Sequence, residues 1–112
     1  MVRSSSDTSE VVSRVGEELP IPHRATTSRA LVDNDVVRVV AFAFDSGERL
    51  TEHTAAGPVV VHVIEGRLRF ELDGAEHVVE AGDCVYLAPG APHALEALEP
   101  ARIGLVLLRG AS

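Results

Sequence analysis

The sequence contains no lysine and no tryptophan, has a single cysteine, and is poor in aromatic residues. All ten cationic side chains are arginines, against 17 Asp and Glu, so the formal net charge is −7. An acidic surface repels the phosphates of DNA and RNA, which argues against nucleic acid as a partner. With Cys84 alone, one chain forms neither an internal disulfide nor a cysteine-rich metal motif. We expect Cys84 to be a small, buried apolar side chain.

Long apolar segments are also missing. No run of about 18 apolar residues is present, so the sequence predicts no membrane-spanning helix and no membrane partner. The first ten residues, MVRSSSDTSE, lack the apolar centre of a secretory signal, and we therefore expect a cytoplasmic protein. The abundance of Ala, Arg and Val without Lys is typical of a GC-rich bacterial genome.

The composition predicts one folded domain. The chain has 112 residues, of which 46% are apolar, so a single core is feasible. Because only three Phe and one Tyr are present, that core has to consist mainly of Val, Leu, Ile and Ala. Valine is β-branched and favours strands. We expect a flexible N-terminal segment over residues 1–18 and the folded domain over residues 19–112.

Short apolar runs alternate with turn signals from about residue 27 onward. Turns of the type Asp-Gly, Glu-Gly and Pro-Gly recur every eight to twelve residues, and no long helical period is present. This pattern predicts an all-β sandwich or barrel. The predicted strands are Arg29–Val32, Val36–Phe44, Val59–Ile64, Arg67–Leu72, Glu76–Glu80, Cys84–Leu87, His93–Leu98 and Ile103–Leu108.

Two of the predicted strands are apolar at nearly every position. Val36–Phe44 is one, and Val59–Ile64, interrupted only by His62, is the other. Strands of this kind are covered on both faces. In a one-domain protein the second cover is often another subunit, so we expect a homodimer. A packed N-terminal segment is the alternative cover.

Two spaced groups of glycine and histidine form a recognisable pattern. The first group lies between residues 47 and 66 and the second between residues 82 and 93. Their members are Gly47, His53 and Gly66, followed by Gly82, Gly90 and His93. In these residues the chain, over about residues 27–109, resembles the cupin superfamily. The resemblance implies a small all-β barrel of the jelly-roll type, with the functional site inside it.

The resemblance also implies a set of metal ligands, which is incomplete here. Cupins that bind a divalent metal use two His and a Glu of the first motif and the His of the second. These four positions carry His53, Ala55, Val59 and His93. Two imidazoles alone make a weak site, because a Zn or non-haem Fe site with an open position needs about three protein ligands. If a metal binds, it is a divalent transition metal such as Zn, Fe, Ni, Cu or Mn.

Two further residues are candidates for the site. His62 faces away from Val59 on a regular strand, but a bulge at Gly57 and Pro58 would turn it inward as a third metal ligand. The alternative is a histidine at a subunit interface or on the outer face. Tyr86 lies on a strand that lines the barrel in the family. It would either offer its hydroxyl to a ligand or pack in the core.

These residues favour a small-molecule-binding cupin with a mostly apolar cavity and with His53 and His93 as polar anchors. Arg38 and Arg49 either meet a carboxylate ligand or form solvated salt bridges. One alternative is a metal-dependent enzyme, an oxygenase, isomerase or decarboxylase acting on a small organic acid or sugar. Another is a non-catalytic dimeric module, since the fold hosts many functions. The expected cavity-lining residues are Tyr86, Val59 and Ala55.

Overall fold

In the described part of the chain, nine strands form two antiparallel sheets. The structure is a computed structural model that describes residues 4–53 and 55–109, without the side chains of residues 52 and 53. Within these ranges no helix is long and apolar enough to cross a membrane. The strands are β1 (Thr26–Asp33), β2 (Val37–Phe44), β3 (Arg49–His53), β4 (Val59–Glu65), β5 (Arg67–Leu72), β6 (Ala75–Glu80), β7 (Cys84–Leu87), β8 (His93–Ala97) and β9 (Ala101–Leu108). The all-β prediction is confirmed.

The strands are arranged as a jelly-roll barrel. Sheet A has the order β1-β2-β9-β4-β7, and sheet B has the order β3-β8-β5-β6. Alternate residues of each strand face the space between the sheets, as the two-residue period of a strand requires. On β4, for example, Val59, Val61 and Val63 are buried while His62 and Ile64 are exposed. The main core cluster joins these valines to Phe44, Leu68, Phe70, Val85, Leu87, Leu95, Ala97, Ala101 and Ile103.

The N-terminal segment covers part of the outer face of sheet A. Leu19 is only 4% exposed and packs with Ala41 and Ala43 of β2, supported by Val15. The backbone carbonyl of Leu19 accepts a hydrogen bond of 3.1 Å from Nε of Arg102. The N-terminal segment is therefore what covers the outer face of β2, the second face that its apolar sequence predicts to be buried. The segment boundary expected after residue 18 stays a prediction, although Val15 already contacts the barrel.

Two turns show how local chemistry sets the strand connections. Between β5 and β6, Asp73 and Gly74 have φ of 51° and 82°, the positive values of a tight type I′ hairpin. Between β1 and β2, the side-chain oxygen of buried Asn34 accepts hydrogen bonds from the backbone N–H groups of Val36, at 2.9 Å, and Val37, at 3.0 Å. The asparagine therefore holds this turn through its side chain.

Asp45, directly after β2, ties the N-terminal segment to the barrel. Its carboxylate accepts hydrogen bonds from the backbone N–H of Arg24, at 2.7 Å, and of Ser46, at 2.9 Å. These two bonds, the one from Arg24 first, lower the pKa of Asp45 because they stabilise the charged form. The carboxylate therefore favours the folded state only while it is ionised.

Two glycines allow close approach between backbones. A Cβ atom added to Gly66, at the β4–β5 connection, would lie 2.3 Å from the carbonyl oxygen of Pro100. A Cβ added to Gly57, just before β4, would lie 2.3 Å from the carbonyl oxygen of Leu108. Because both neighbours are backbone atoms, rotation of a side chain does not relieve the overlap.

Candidate functional site

The two motif histidines lie in neighbouring strands at one end of the barrel. His53 ends β3 and His93 begins β8, and the two residues are direct partners in the antiparallel register. We call this end the mouth; β4 begins there, and β7 and β9 end there. The sequence separates the two histidines widely, and the pairing of β3 with β8 brings their backbones together. The side chain of His53 lies outside the described part of the structure.

A tight turn positions His93. The N–H of Ala91 donates to the carbonyl of Ala88 at 3.1 Å, and Gly90 between them has φ of 74°. Pro89 followed by a residue of positive φ is typical of a type II turn. His93 is 5% exposed, and its Nδ1 lies 3.2 Å from the carbonyl oxygen of Ala91. In the tautomer that donates to this carbonyl, the ring's lone pair is on Nε2.

The loops that carry the two motifs contact each other at the mouth. The N–H of Gly90 donates to the carbonyl of Ala55 at 2.8 Å. Ala55 packs against the core, and Val59 is 3% exposed. Val59 is flanked in register by Leu87 on one side and Leu107 on the other. Both residues therefore lie at the mouth end of the barrel, Val59 within the packed core and Ala55 against it; their role as cavity lining stays a prediction.

The donor set does not complete the metal site of the family. Of its four ligand positions, Ala55 and Val59 carry side chains without a donor atom. Among the described residues, no group of three or more His, Cys, Asp or Glu is placed to hold a metal ion. Counting His53 with His93, two imidazoles remain, fewer than the three protein ligands usual for a catalytic zinc. The residues present therefore do not fit the divalent metal that the resemblance implies.

The structure corrects the expectation that His62 turns inward to join His53 and His93 as a third metal ligand at the mouth. The pairing of β4 with β7 runs without a shift from Val59 to His62, and that with β9 runs without a shift from Val59 to Val63. No bulge after Gly57 therefore turns His62 inward, and its side chain is exposed on the outer face of sheet A.

The structure also corrects the assignments of Tyr86 and Cys84. Val85 and Leu87 take the inward positions of β7 and are buried. Tyr86, 63% exposed, therefore lies on the outer face opposite Val60 instead of lining the cavity. Cys84 is exposed on the same face, so the prediction of a buried thiol is wrong. Composition alone does not reveal which face of so short a strand is buried.

Arg49 and Arg38, the two arginines considered as partners for a carboxylate ligand, lie in different surroundings. Arg49 lies on the outer face of sheet B, where its Nη2 is 3.5 Å from Glu96 Oε2. The other oxygen of Glu96 accepts a 2.9 Å hydrogen bond from Arg69. Arg38, by contrast, is exposed near the start of β2 and pairs in register with Leu107 at the mouth. It alternates with Val40, so its position faces the barrel side of sheet A.

The described residues form two surface grooves, each with a volume of about 520 Å³. One lies on the outer face of sheet B, over the ion pairs of Arg49 and Arg69 with Glu96. The other lies at the rim of the mouth and is mostly apolar. Its lining residues are Ala56, Gly57, Pro58, Pro89, Leu107, Leu108 and Arg109. Arg109 is held by an ion pair with Asp33. Two of its lining residues, Pro58 and Leu107, are the chain neighbour and a register partner of Val59.

Comparison with known proteins agrees with this architecture. Residues 40–108 match the cupin domain family. A conserved protein of unknown function from Streptococcus pyogenes superposes with a TM-score of 0.84 at 24% identity, over 100% of this chain and 98% of that one. A cupin superfamily protein from Desulfitobacterium hafniense gives 0.82 at 17% identity, over 92% and 94%. Salicylate 1,2-dioxygenase from Pseudaminobacter salicylatoxidans gives 0.71 at 17% identity, over 81% of this chain and 28% of that one. No curated protein matches the chain.

Proposed function

The chain belongs to the cupin domain family, and on that premise we propose that it binds a small organic acid at the mouth of its barrel. The observation that carries the proposal is the register of β3 with β8, which pairs His53 with His93 at that end. His93 is buried and its Nδ1 lies against a backbone carbonyl, which fixes the orientation of the ring. An imidazole so held is a suitable polar anchor in an apolar site.

Arg38 supports a carboxylate as the group that is recognised. Its guanidinium has no ion-pair partner among the described side chains, whereas Arg49 and Arg69 share Glu96. It occupies the same register row as Leu107 and Val59 at the mouth. A guanidinium binds carboxylates through paired hydrogen bonds. The ligand would place its carboxylate towards Arg38 and its apolar part against the partly buried Ala55, which stands at one of the family's metal-ligand positions.

The donor set favours binding over metal-dependent catalysis. The structural likeness to salicylate 1,2-dioxygenase is a likeness of fold at 17% identity. At the positions where the family's metal-binding members carry His and Glu, this chain carries Ala55 and Val59. A ligand held by an imidazole, a guanidinium and an apolar wall needs none of the missing donors. A small-molecule-binding role is therefore the function that these residues support best.

A thermal-shift screen with small organic acids and sugars tests the proposal. A ligand present at about 100 times its Kd stabilises the folded state by about 2.7 kcal/mol, so it raises the unfolding midpoint. We expect organic acids to do so and neutral sugars to have no effect. Because a hydrogen bond to a charged group contributes about 1.5–3 kcal/mol, Arg38→Gln should weaken binding of the acid at least about tenfold.

The chain offers matched controls for both anchors. Arg49→Gln removes a guanidinium from the outside of sheet B and should leave the affinity unchanged. His93→Leu should weaken binding, whereas His77→Leu, on the exposed strand β6, should not. Equal effects of Arg38→Gln and Arg49→Gln would contradict the proposal. Measurement of the metal content by mass spectrometry tests the alternative of a metal-dependent enzyme. One transition metal per chain in the wild type, lost in both His53→Ala and His93→Ala, would favour that alternative.

A further inference from the structure

An uncharged patch occupies the part of the outer face of sheet A that the N-terminal segment leaves open. It lies on β4, β7 and β9, and we call it the outer-face patch. Its residues are Val60, His62, Ile64, Cys84, Tyr86, Gly104 and Val106. Ile64 is 50% exposed and Tyr86 63% exposed. In a chain with a formal net charge of −7, none of these seven residues carries a carboxylate side chain. The patch is therefore a surface on which a second copy meets little electrostatic repulsion.

His62 and Cys84 are direct partners across the centre of this patch. The N–H of Val63 donates to the carbonyl of Asp83 at 2.9 Å, which makes the neighbouring pair a hydrogen-bonded one. Because hydrogen-bonded and non-hydrogen-bonded pairs alternate in an antiparallel ladder, His62 and Cys84 form a pair of the second kind. In such pairs the Cβ atoms are only about 4.5–5.5 Å apart. Imidazole and thiol are thus close enough to share one ion.

The other neighbour of His62 leaves space for that ion. On the β9 side His62 pairs with Gly104, which has no side chain. A Cβ atom built at Gly104 would meet only the end of Ile64, at 3.9 Å. The imidazole and the thiol are both exposed on this face. The patch therefore presents two ligands side by side, with open space above them.

We propose that two copies of the chain pack through their outer-face patches and bind one Zn²⁺ between them, held by His62 and Cys84 of each copy. A two-fold axis through the patch would give two imidazoles and two thiolates, the ligand set of a closed tetrahedral zinc site. Packed sheets are about 10 Å apart, a spacing that cysteine side chains from both sides bridge through Zn–S bonds of about 2.3 Å.

Zinc binding at this site balances in protons and in charge, and the uncharged product suits the apolar interface between the two outer-face patches. Each Cys84 thiol loses its proton to solvent as it binds, so one Zn²⁺ replaces two protons per dimer. The two thiolates neutralise the two positive charges of the ion, and both imidazoles bind in the neutral form. The resulting centre has no net charge, which limits the cost of burying it between Val60, Ile64 and Val106 of the two copies.

Cobalt titration of the metal-free protein tests this site without interference from the barrel. Cys84 is the only cysteine, so a cobalt–thiolate charge-transfer band reports on the outer-face patch and not on His93. We expect the band to saturate at one Co²⁺ per two chains, with the tetrahedral ligand-field spectrum. Zn²⁺ should displace the cobalt, and light scattering should show the mass rising to twice the 11.9 kDa of one chain.

Variants assign the effect to the two ligands. Cys84→Ser and His62→Gln should each lose the band and the zinc-dependent doubling of mass, while His77→Gln, exposed on sheet B, should keep both. Circular dichroism checks that each variant is folded. The proposal is overturned if the wild type gives no cobalt–thiolate band, if the band saturates at one metal per chain in a monomer, or if His62→Gln keeps the metal-dependent dimer.

Discussion

Substitution of Gly66 by alanine should be among the most destabilising single-methyl additions in the protein. Gly66 joins β4 of sheet A to β5 of sheet B with φ of 84°. For an L-residue this left-handed conformation costs about 1–2 kcal/mol. The added Cβ would also lie 2.3 Å from the carbonyl oxygen of Pro100 and 2.8 Å from Cβ of Ala101. Overpacking of this kind adds about 1–3 kcal/mol.

The total expected loss is therefore about 2–5 kcal/mol, a large fraction of the roughly 5–15 kcal/mol that stabilises a typical domain. Urea unfolding followed by circular dichroism measures it, provided that the slope m is unchanged. Gly74→Ala is the matched control, because Gly74 has φ of 82° but no atom within 4 Å of the added Cβ. Gly74→Ala should therefore lose only the roughly 1–2 kcal/mol of stability that the left-handed conformation costs an L-residue. If Gly66→Ala and Gly74→Ala differ by less than about 0.5 kcal/mol, the overlap with Pro100 is not real.

Three further predictions concern the core, a turn and the pH dependence. Phe70→Ala should cost about 3–5 kcal/mol in urea unfolding, because its ring is fully buried; a cost below that of Gly74→Ala would show that the ring is exposed in solution. Asn34→Ala should cost about 1–3 kcal/mol, since two backbone N–H groups lose their acceptor, while Asn34→Asp keeps an acceptor and should recover most of the loss. Hydrogen bonds to Asp45 lower its pKa, so its contribution is complete at neutral pH and disappears as the pH falls below the ordinary value of 3.8. Urea midpoints compared with those of Asp45→Asn should therefore converge as the pH falls through the lowered pKa of Asp45, and a difference that stays constant from neutral pH into acid would argue against the hydrogen bonds.

Patterns of alternation and turns were sufficient to predict the fold. The two-residue period correctly indicates that Leu68 and Phe70 are buried, and Asp73 with Gly74 correctly indicates the β5–β6 hairpin. The strand β3 was missed, because RLTEH contains a single apolar residue. Its strand conformation depends on pairing with β8, which is distant in sequence.

The site was harder to predict because it depends on which face each strand buries. Parity from Val59 indicates that His62 faces outward, and only a bulge would have changed this. The continuous register of β4 removes that alternative. For Tyr86 and Cys84 the short strand β7 gives too few positions to fix the buried face. The packing of Leu19 on Ala41 and Ala43 is likewise a long-range contact that no local pattern reveals.

The most direct test of the central claim is the NMR signal of the His93 imidazole during titration with the organic acid that most raises the unfolding midpoint. We predict that the signals of the His93 ring nitrogens shift with the same saturation curve as those of the Arg38 guanidinium. His62, exposed on the outer face of sheet A, should remain unchanged. Saturable shifts confined to the outer-face patch, with His93 unaffected, would contradict a ligand site at the mouth of the barrel.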